Sequence, residues 1–195
     1  MKQFAFIFIA TLLIVSCGPS AIENKIIGKW AYSSSYSDNI KSDSTQQLPT
    51  AYMTWLLESV DVFNEDHTEH ESGEFEIYYE LTLGEYGFTN TIILEYKTDY
   101  QGTWKVKDDN LILAGESCTY EFVKGYAMRP MPNFDADYYV NIMKEYSDTA
   151  VIQPLIKSQL SQKETQIHEL TNDEMVLKNN NTSYMMALSR IKKSL

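Results

Sequence analysis

Phe75, Ile77, Tyr79, Leu81 and Leu83 alternate with Glu76, Tyr78, Glu80 and Thr82. Only a β-strand turns such a run into one apolar and one polar face, because its side chains point to opposite sides in succession. The same period-two pattern dominates residues 25 to 125 and excludes a mainly helical chain. Ile26, Gly28, Trp30 and Tyr32 share one face of a first strand. Val60 to Phe63 runs into Asn64-Glu65-Asp66-His67, whose composition predicts a hairpin turn. Ile92 to Lys97, Trp104 with Val106, Leu111 to Leu113 and Thr119 to Val123 supply further strands, punctuated by Gly84, Gly87 and Asp108-Asp109-Asn110.

Two early stretches do not follow the rule. Ser33 to Thr50 is rich in Ser, Asp and Gln, so residues 33–50 are expected to form an exposed loop. Ala51 to Ser59 fits a short helix or a strand. As a strand, either face would bury an acid, Glu58 or Asp61, so a strand is expected only from Val60 onward.

The period changes after Arg129-Pro130-Met131-Pro132-Asn133, a rigid break. Tyr138, Ile142, Tyr146, Ile152, Leu155, Ile156 and Leu160 recur at helical spacing. Ser147-Asp148 and Pro154 are expected to split the segment into two helices. Strands return at Ile167 to Leu170, Met175 to Leu177 and Tyr184 to Leu188, with Asn179-Asn180-Asn181 turning between the last two. The helical segment is too short to hold a core alone. It reads as an insertion, 127–163 with helix near 135–163, in a mainly β, antiparallel chain. Many short strands joined by tight turns suggest a barrel or a sandwich.

The first twenty residues are MKQFAFIFIATLLIVSCGPS. One Lys, an apolar run from Phe4 to Val15 and the small Ser16 before Cys17 have the layout of an export signal, and the run is too short to span as a permanent helix. Leu13-Ile14-Val15-Ser16-Cys17 resembles a lipobox. The resemblance implies removal of residues 1–16 as a lipoprotein signal peptide, acylation of Cys17 and a short tether over 17–24. Each buried CH₂ of such a chain contributes about 0.8 kcal/mol, so two or more chains anchor a protein stably. The expected location is the bacterial cell envelope. Gly18 stands where some bacteria place an Asp for inner-membrane retention, which favours the outer membrane.

A net charge of −11 argues against nucleic acid or anionic headgroups as electrostatic partners. With Cys17 committed to lipid, Cys118 is left as a buried small hydrophobe on a strand face with Tyr120 and Phe122, and no disulfide scaffold is possible. His67 and His70 with Asp66, Glu69 and Glu71 have the elements of a metal site, but positions three apart on a strand face opposite sides, so a polar hairpin is the better reading. His168 faces outward if Ile167 faces in. No nucleophile elbow, fixed carboxylate pair or phosphate-binding loop is present, so neither a catalytic activity nor a cofactor is expected. Asp43-Ser44-Thr45 and Asp148-Thr149-Ala150 resemble a short O-glycosylation signal of exported bacterial proteins.

Ile27-Gly28-Lys29-Trp30 resembles the Gly-x-Trp that opens the first strand of lipocalins. Gly102-Thr103-Trp104-Lys105-Val106 before Leu111-Ile112-Leu113, the turn Phe63 to Thr68 (with His67 where the family usually has Gly), and Ile167 to Leu177 are similar to stretches of bacterial lipocalin-like lipoproteins. The resemblance implies an antiparallel barrel of about 8–10 strands over residues 25–195. It implies that Trp30 packs across the closed end, with Arg190 the matching candidate to lie over it. It also implies a small apolar or amphipathic ligand inside, for which Tyr79, Trp104 and Phe122 are the expected lining. The alternative is an accessory with a filled barrel that meets another envelope protein through its helices or its polar loop. A void in the barrel separates the two.

Overall fold

The computed structural model describes residues 19–40, 51–83, 88–129, 132, 134–179 and 185–192. Cys17, the signal segment and Asp43-Ser44-Thr45 lie outside the described residues.

A short helix, α1 (Ala21–Ile26), opens the described chain. Ser20 caps it: its side chain accepts from the Glu23 amide at 3.2 Å, and the Glu23 carboxylate accepts from the Ser20 amide at 2.6 Å. Five strands follow: β1 (Gly28–Ile40), β2 (Ala51–Phe63), β3 (Thr68–Leu83), β4 (Phe88–Lys107) and β5 (Asn110–Ala127). A helical insertion comes next. It consists of α2 (Ala136–Ser147), one wide π turn at Asp148–Ile152, and α3 (Gln153–Gln159). The chain returns to β6 (Lys163–Leu170), β7 (Glu174–Asn179) and β8 (Met185–Arg190). Every strand pairs antiparallel with its neighbour in sequence, and β8 returns to β1 through Trp30↔Arg190 and Ala31↔Ser189. The architecture is therefore an eight-stranded antiparallel barrel with a helical insertion after β5.

Two local expectations change. Residues 33–40 are not loop but the outer half of β1, paired with β2 from Ser33↔Glu58 to Ile40↔Ala51. Their serines form a strand because the ladder to β2 supplies the hydrogen bonds that their weak strand propensity does not. Residues 51–59 are strand as well, and the inward acid that argued against a strand is real: Asp61 points into the barrel and is 5 % exposed. The insertion carries the expected break: α2 ends at Ser147, a π turn follows over Asp148–Ile152, and Pro154 sits in the first turn of α3, where its missing N–H costs little. The 64–67 turn is as expected. His67 there has φ +64°, which explains why a glycine would suit the position.

The strands differ greatly in length. β2 to β5 run 13 to 20 residues, whereas β6 to β8 run six to eight. The long strands therefore rise past the short ones, and the insertion covers the exposed inner surface that results. Met143, Val151 and Ile152 from the insertion are buried against Phe75, Ile77, Tyr79, Leu81, Ile92 and Leu94 of β3 and β4. The opposite end is closed by a second apolar cluster of Ile26, Trp30, Phe63, Trp104, Leu111, Met175, Leu177 and Leu188. Burying each such side chain contributes about 1.5–3 kcal/mol. The outward faces carry charge, as at Lys29, Glu58, Glu74, Lys97 and Lys105, the reverse of a barrel that faces lipid. Among the described residues no helix is long and apolar enough to cross a membrane.

Candidate functional site

The two apolar clusters are separate because a polar layer lies between them. Inward positions follow the strand period. On β2 they read Leu57, Ser59, Asp61 and Phe63; on β3, Glu69, Glu71, Gly73 and Phe75. The register sets Asp61 directly across from Glu71, and Glu71 across from Tyr100 of β4. Directly opposed side chains stand about 4.5–5.5 Å apart at Cβ, so two acids share one spot. Asp61, Glu69 and Glu71 are 5 %, 3 % and 7 % exposed.

Few groups satisfy these acids. Glu71 Oε1 accepts hydrogen bonds from the Tyr32 hydroxyl at 2.9 Å and the Ser59 hydroxyl at 2.8 Å. Asp61 Oδ1 and Glu69 Oε2 are buried and have no hydrogen-bonding partner among the described residues. Lys163, at the start of β6, is the cation that faces the acids, and its ammonium also donates to the Gln159 side chain. Burial pushes the Asp61 carboxyl well above the usual carboxylate range, and the charges of Glu71 and Glu69 push it further. Burial, then Glu71, raises Glu69 to about 8, with Lys163 opposing. Burial lowers the Lys163 ammonium, while the surrounding acids raise it. The Cys118 thiol, half-buried near Glu71, is pushed up to about 11 chiefly by burial, which leaves it protonated and unreactive.

Above this layer is a cavity of about 400 Å³. Its acidic floor is Asp61, Glu69 and Glu71, with Lys163 and Tyr100 beside them. Its aromatic wall climbs from Tyr120 and Phe75 (5.3 Å between ring centroids) to Trp55 (5.5 Å from Phe75) and Tyr36 (5.9 Å from Trp55). Leu155 and Gln159 of α3 form part of its cover. The exposed residues of its lining, Ser35 and Tyr36, mark the mouth, on the part of β1 that has run past its two pairs with β8. Gly115 lets α3 approach so closely, since a Cβ there would lie 2.5 Å from the Gln159 carbonyl. A broader depression of about 580 Å³ crosses the outer face of β1 to β3 beside β8, but it is an open groove with no acid as deeply buried as these.

No family model matches this chain, and no curated protein proves similar to it.

The residues expected to line a ligand site are placed elsewhere. Tyr79 is buried beneath α2, its hydroxyl 2.6 Å from the Ser147 hydroxyl. Trp104 belongs to the closed-end cluster, edge-on to Phe63 and donating to the Asn64 carbonyl at 3.1 Å. Phe122 packs on Tyr96 and under the Lys144 ammonium. All three serve as packing, and the cavity is lined by their neighbours. At the closed end the Arg190 guanidinium lies 4.3 Å from the Trp30 ring centroid. It donates to the Ile27 carbonyl at 2.9 Å and to the Lys25 carbonyl, which ties β8 to the end of α1. Gly28, at φ +139°, makes room for it: a Cβ would lie 2.6 Å from Arg190 Nη1.

The histidines do not converge. His70 faces outward and meets Asp99 at 2.8 Å, while Glu69 and Glu71 face inward. Among the described residues no group of three or more His, Cys, Asp and Glu side chains is placed to hold a metal. Thr149, in the second possible glycosylation triplet, donates to the Glu145 and Tyr146 carbonyls within the helical run.

Sequence spacing gives Glu69 and Glu71 a place only in a polar hairpin and Asp61 only as a cost to β2, yet a signal for their common layer exists. Glu69 and Glu71 share the parity of Phe75, Ile77 and Tyr79, so extending that strand backward through Gly73 puts both inside the barrel.

Proposed function

We propose that this chain is a lipid-anchored protein of the bacterial envelope whose barrel holds a small amphipathic ligand without transforming it. The cavity carries the reading. About 400 Å³ of space inside the barrel is enough for a compact ligand, whereas an accessory with a filled barrel would leave none. A wall of Tyr36, Trp55, Phe75 and Tyr120 suits an apolar body, and the polar floor suits a head group. The helices of the insertion turn Met143, Val151 and Ile152 inward, where they cover the barrel end. The lipobox-like Leu13 to Cys17 supports the anchor.

Two measurements test this. Native mass spectrometry of the chain isolated from its own host should show a bound small molecule or uptake of an apolar dye. A Leu113→Trp substitution, aimed into the cavity, should abolish that uptake with the barrel still folded. A barrel that neither retains nor takes up any apolar species refutes the binding reading. For the anchor, Cys17→Ser should move the protein from the membrane to the soluble fraction.

A further inference from the structure

We infer that the cavity selects an organic cation: a small molecule with an apolar body and a protonated amine head that sits among Asp61, Glu69 and Glu71. The inference rests on the ligand-binding reading above and adds the chemical class of the ligand.

Three observations converge on it. Asp61 Oδ1 and Glu69 Oε2 are nearly wholly buried, line the cavity and have no hydrogen-bonding partner among the described residues. An unpaired buried carboxylate oxygen is costly, and an ammonium N–H is the group that removes the cost. One cation, Lys163, faces three acids, so the floor has room for a second positive charge. Faces of Trp, Tyr and Phe rings attract cations, and here they line the way down: Tyr36 and Trp55 near the mouth, Phe75 and Tyr120 below. A neutral ligand would use the walls and leave the floor unpaired. An anionic one would meet three acids at the bottom.

The mechanism carries a proton signature. An acid in this layer that holds a proton in the empty barrel must give it up to pair with an ammonium head. Glu69, raised to about 8, is the group placed to do so near neutrality. The groups that face it are Glu71 on its own strand, Asp61 from β2, Tyr100 from β4 and Lys163 from β6, while Tyr32 from β1 and Cys118 from β5 face Glu71 beside it. Among these, Lys163 alone adds positive charge. Binding of an amine at pH 7 should therefore release protons, and its affinity should rise as pH increases from 6 toward 8.

The test is calorimetric titration of the full chain with decylamine, decanol and decanoate, in buffers of different ionisation heat. Decylamine is expected to bind at least tenfold more tightly than decanol, with proton release, and decanoate most weakly. Asp61→Asn and Glu69→Gln together should erase the tenfold preference and the proton release, and leave decanol binding in place. Glu80→Gln, on the exposed face, should change neither. Equal binding of decylamine and decanol, or binding of decylamine without proton release at pH 7, overturns the cation head while the ligand-binding reading stands. Failure of all three probes and of an apolar dye overturns both.

Discussion

Replacing Glu69 with Gln should stabilise the barrel, by an amount that depends on pH. In the folded chain burial and the Glu71 charge raise the Glu69 carboxyl from 4.5 to about 8. At pH 7 the folded protein therefore holds a proton there that the unfolded chain has released. For a raised carboxyl, the associated stability is fully present below about pH 4.5 and is lost as pH rises through about 8. At about 1.4 kcal/mol per pH unit, the loss approaches roughly 5 kcal/mol above pH 8. Asp61 and Glu71 share the same space and take up part of the relief, which brings the expected gain to roughly 2–4 kcal/mol. Gln keeps the shape, offers a donor as a protonated Glu does, and does not titrate. Urea unfolding of the full chain, followed by tryptophan fluorescence, should show Glu69→Gln and wild type nearly equal at pH 4.5 and the variant ahead by this margin at pH 8. An equal difference at both pH values, or a variant weaker than wild type at pH 8, would refute the argument.

Two further outcomes concern the ends of the barrel. Arg190→Ala should cost about 1–3 kcal/mol in urea unfolding, since it removes the cation over Trp30 and the donors to the Ile27 and Lys25 carbonyls; Arg190→Lys should restore little, because an ammonium lacks the planar fork. At the other end, the Ser147 hydroxyl donates to the Met143 carbonyl at 2.7 Å, so the Tyr79 hydroxyl must donate to Ser147. Ser147→Ala should therefore cost about 1–3 kcal/mol by leaving that hydroxyl buried and unpaired, and adding Tyr79→Phe should recover part of it, measurable as a coupling energy in a double-mutant cycle.

The long runs of the barrel were legible because their alternation is clean. Phe75 to Leu83 needs no partner to be recognised as a strand, and the change to helical spacing after Pro132 marks the insertion. What failed to read is the outer half of β1 and all of β2 before Val60. Ser33, Ser34, Ser35 and Ser37 have little strand preference of their own and pair because Glu58 to Thr54 lie opposite. β2 was obscured by a sound rule applied too strictly: buried acids are costly, so a strand that turns Asp61 inward looked wrong. The rule holds, and the cost is present in the raised Asp61 and Glu69 carboxyls. The same rule hides the candidate site, because aromatic residues mark a ligand wall and buried acids do not. Tyr79 and Phe122 were inward, as their parity requires, but the insertion covers that end and turns them into core. Sequence spacing does not reveal which inward layer the helices will cover.

A barrel that needed only to be stable would fill its middle layer with aliphatic side chains, since replacing buried charges with well-packed apolar residues often stabilises a fold. This chain does the opposite at three inward sites of one strand pair, Asp61, Glu69 and Glu71. The cost is tolerated because the two apolar clusters, one under the insertion and one around Trp30 and Trp104, lie on either side and close the barrel independently of the middle. The division also decides what the cavity can hold. Its walls belong to the upper cluster and its floor to the polar layer, so a ligand that satisfies both must be apolar along its body and positive at its deep end. Stability and selectivity thus depend on the same three carboxylates in opposite directions, and a cation that settles among them should stabilise the fold most at the pH where the empty barrel is weakest.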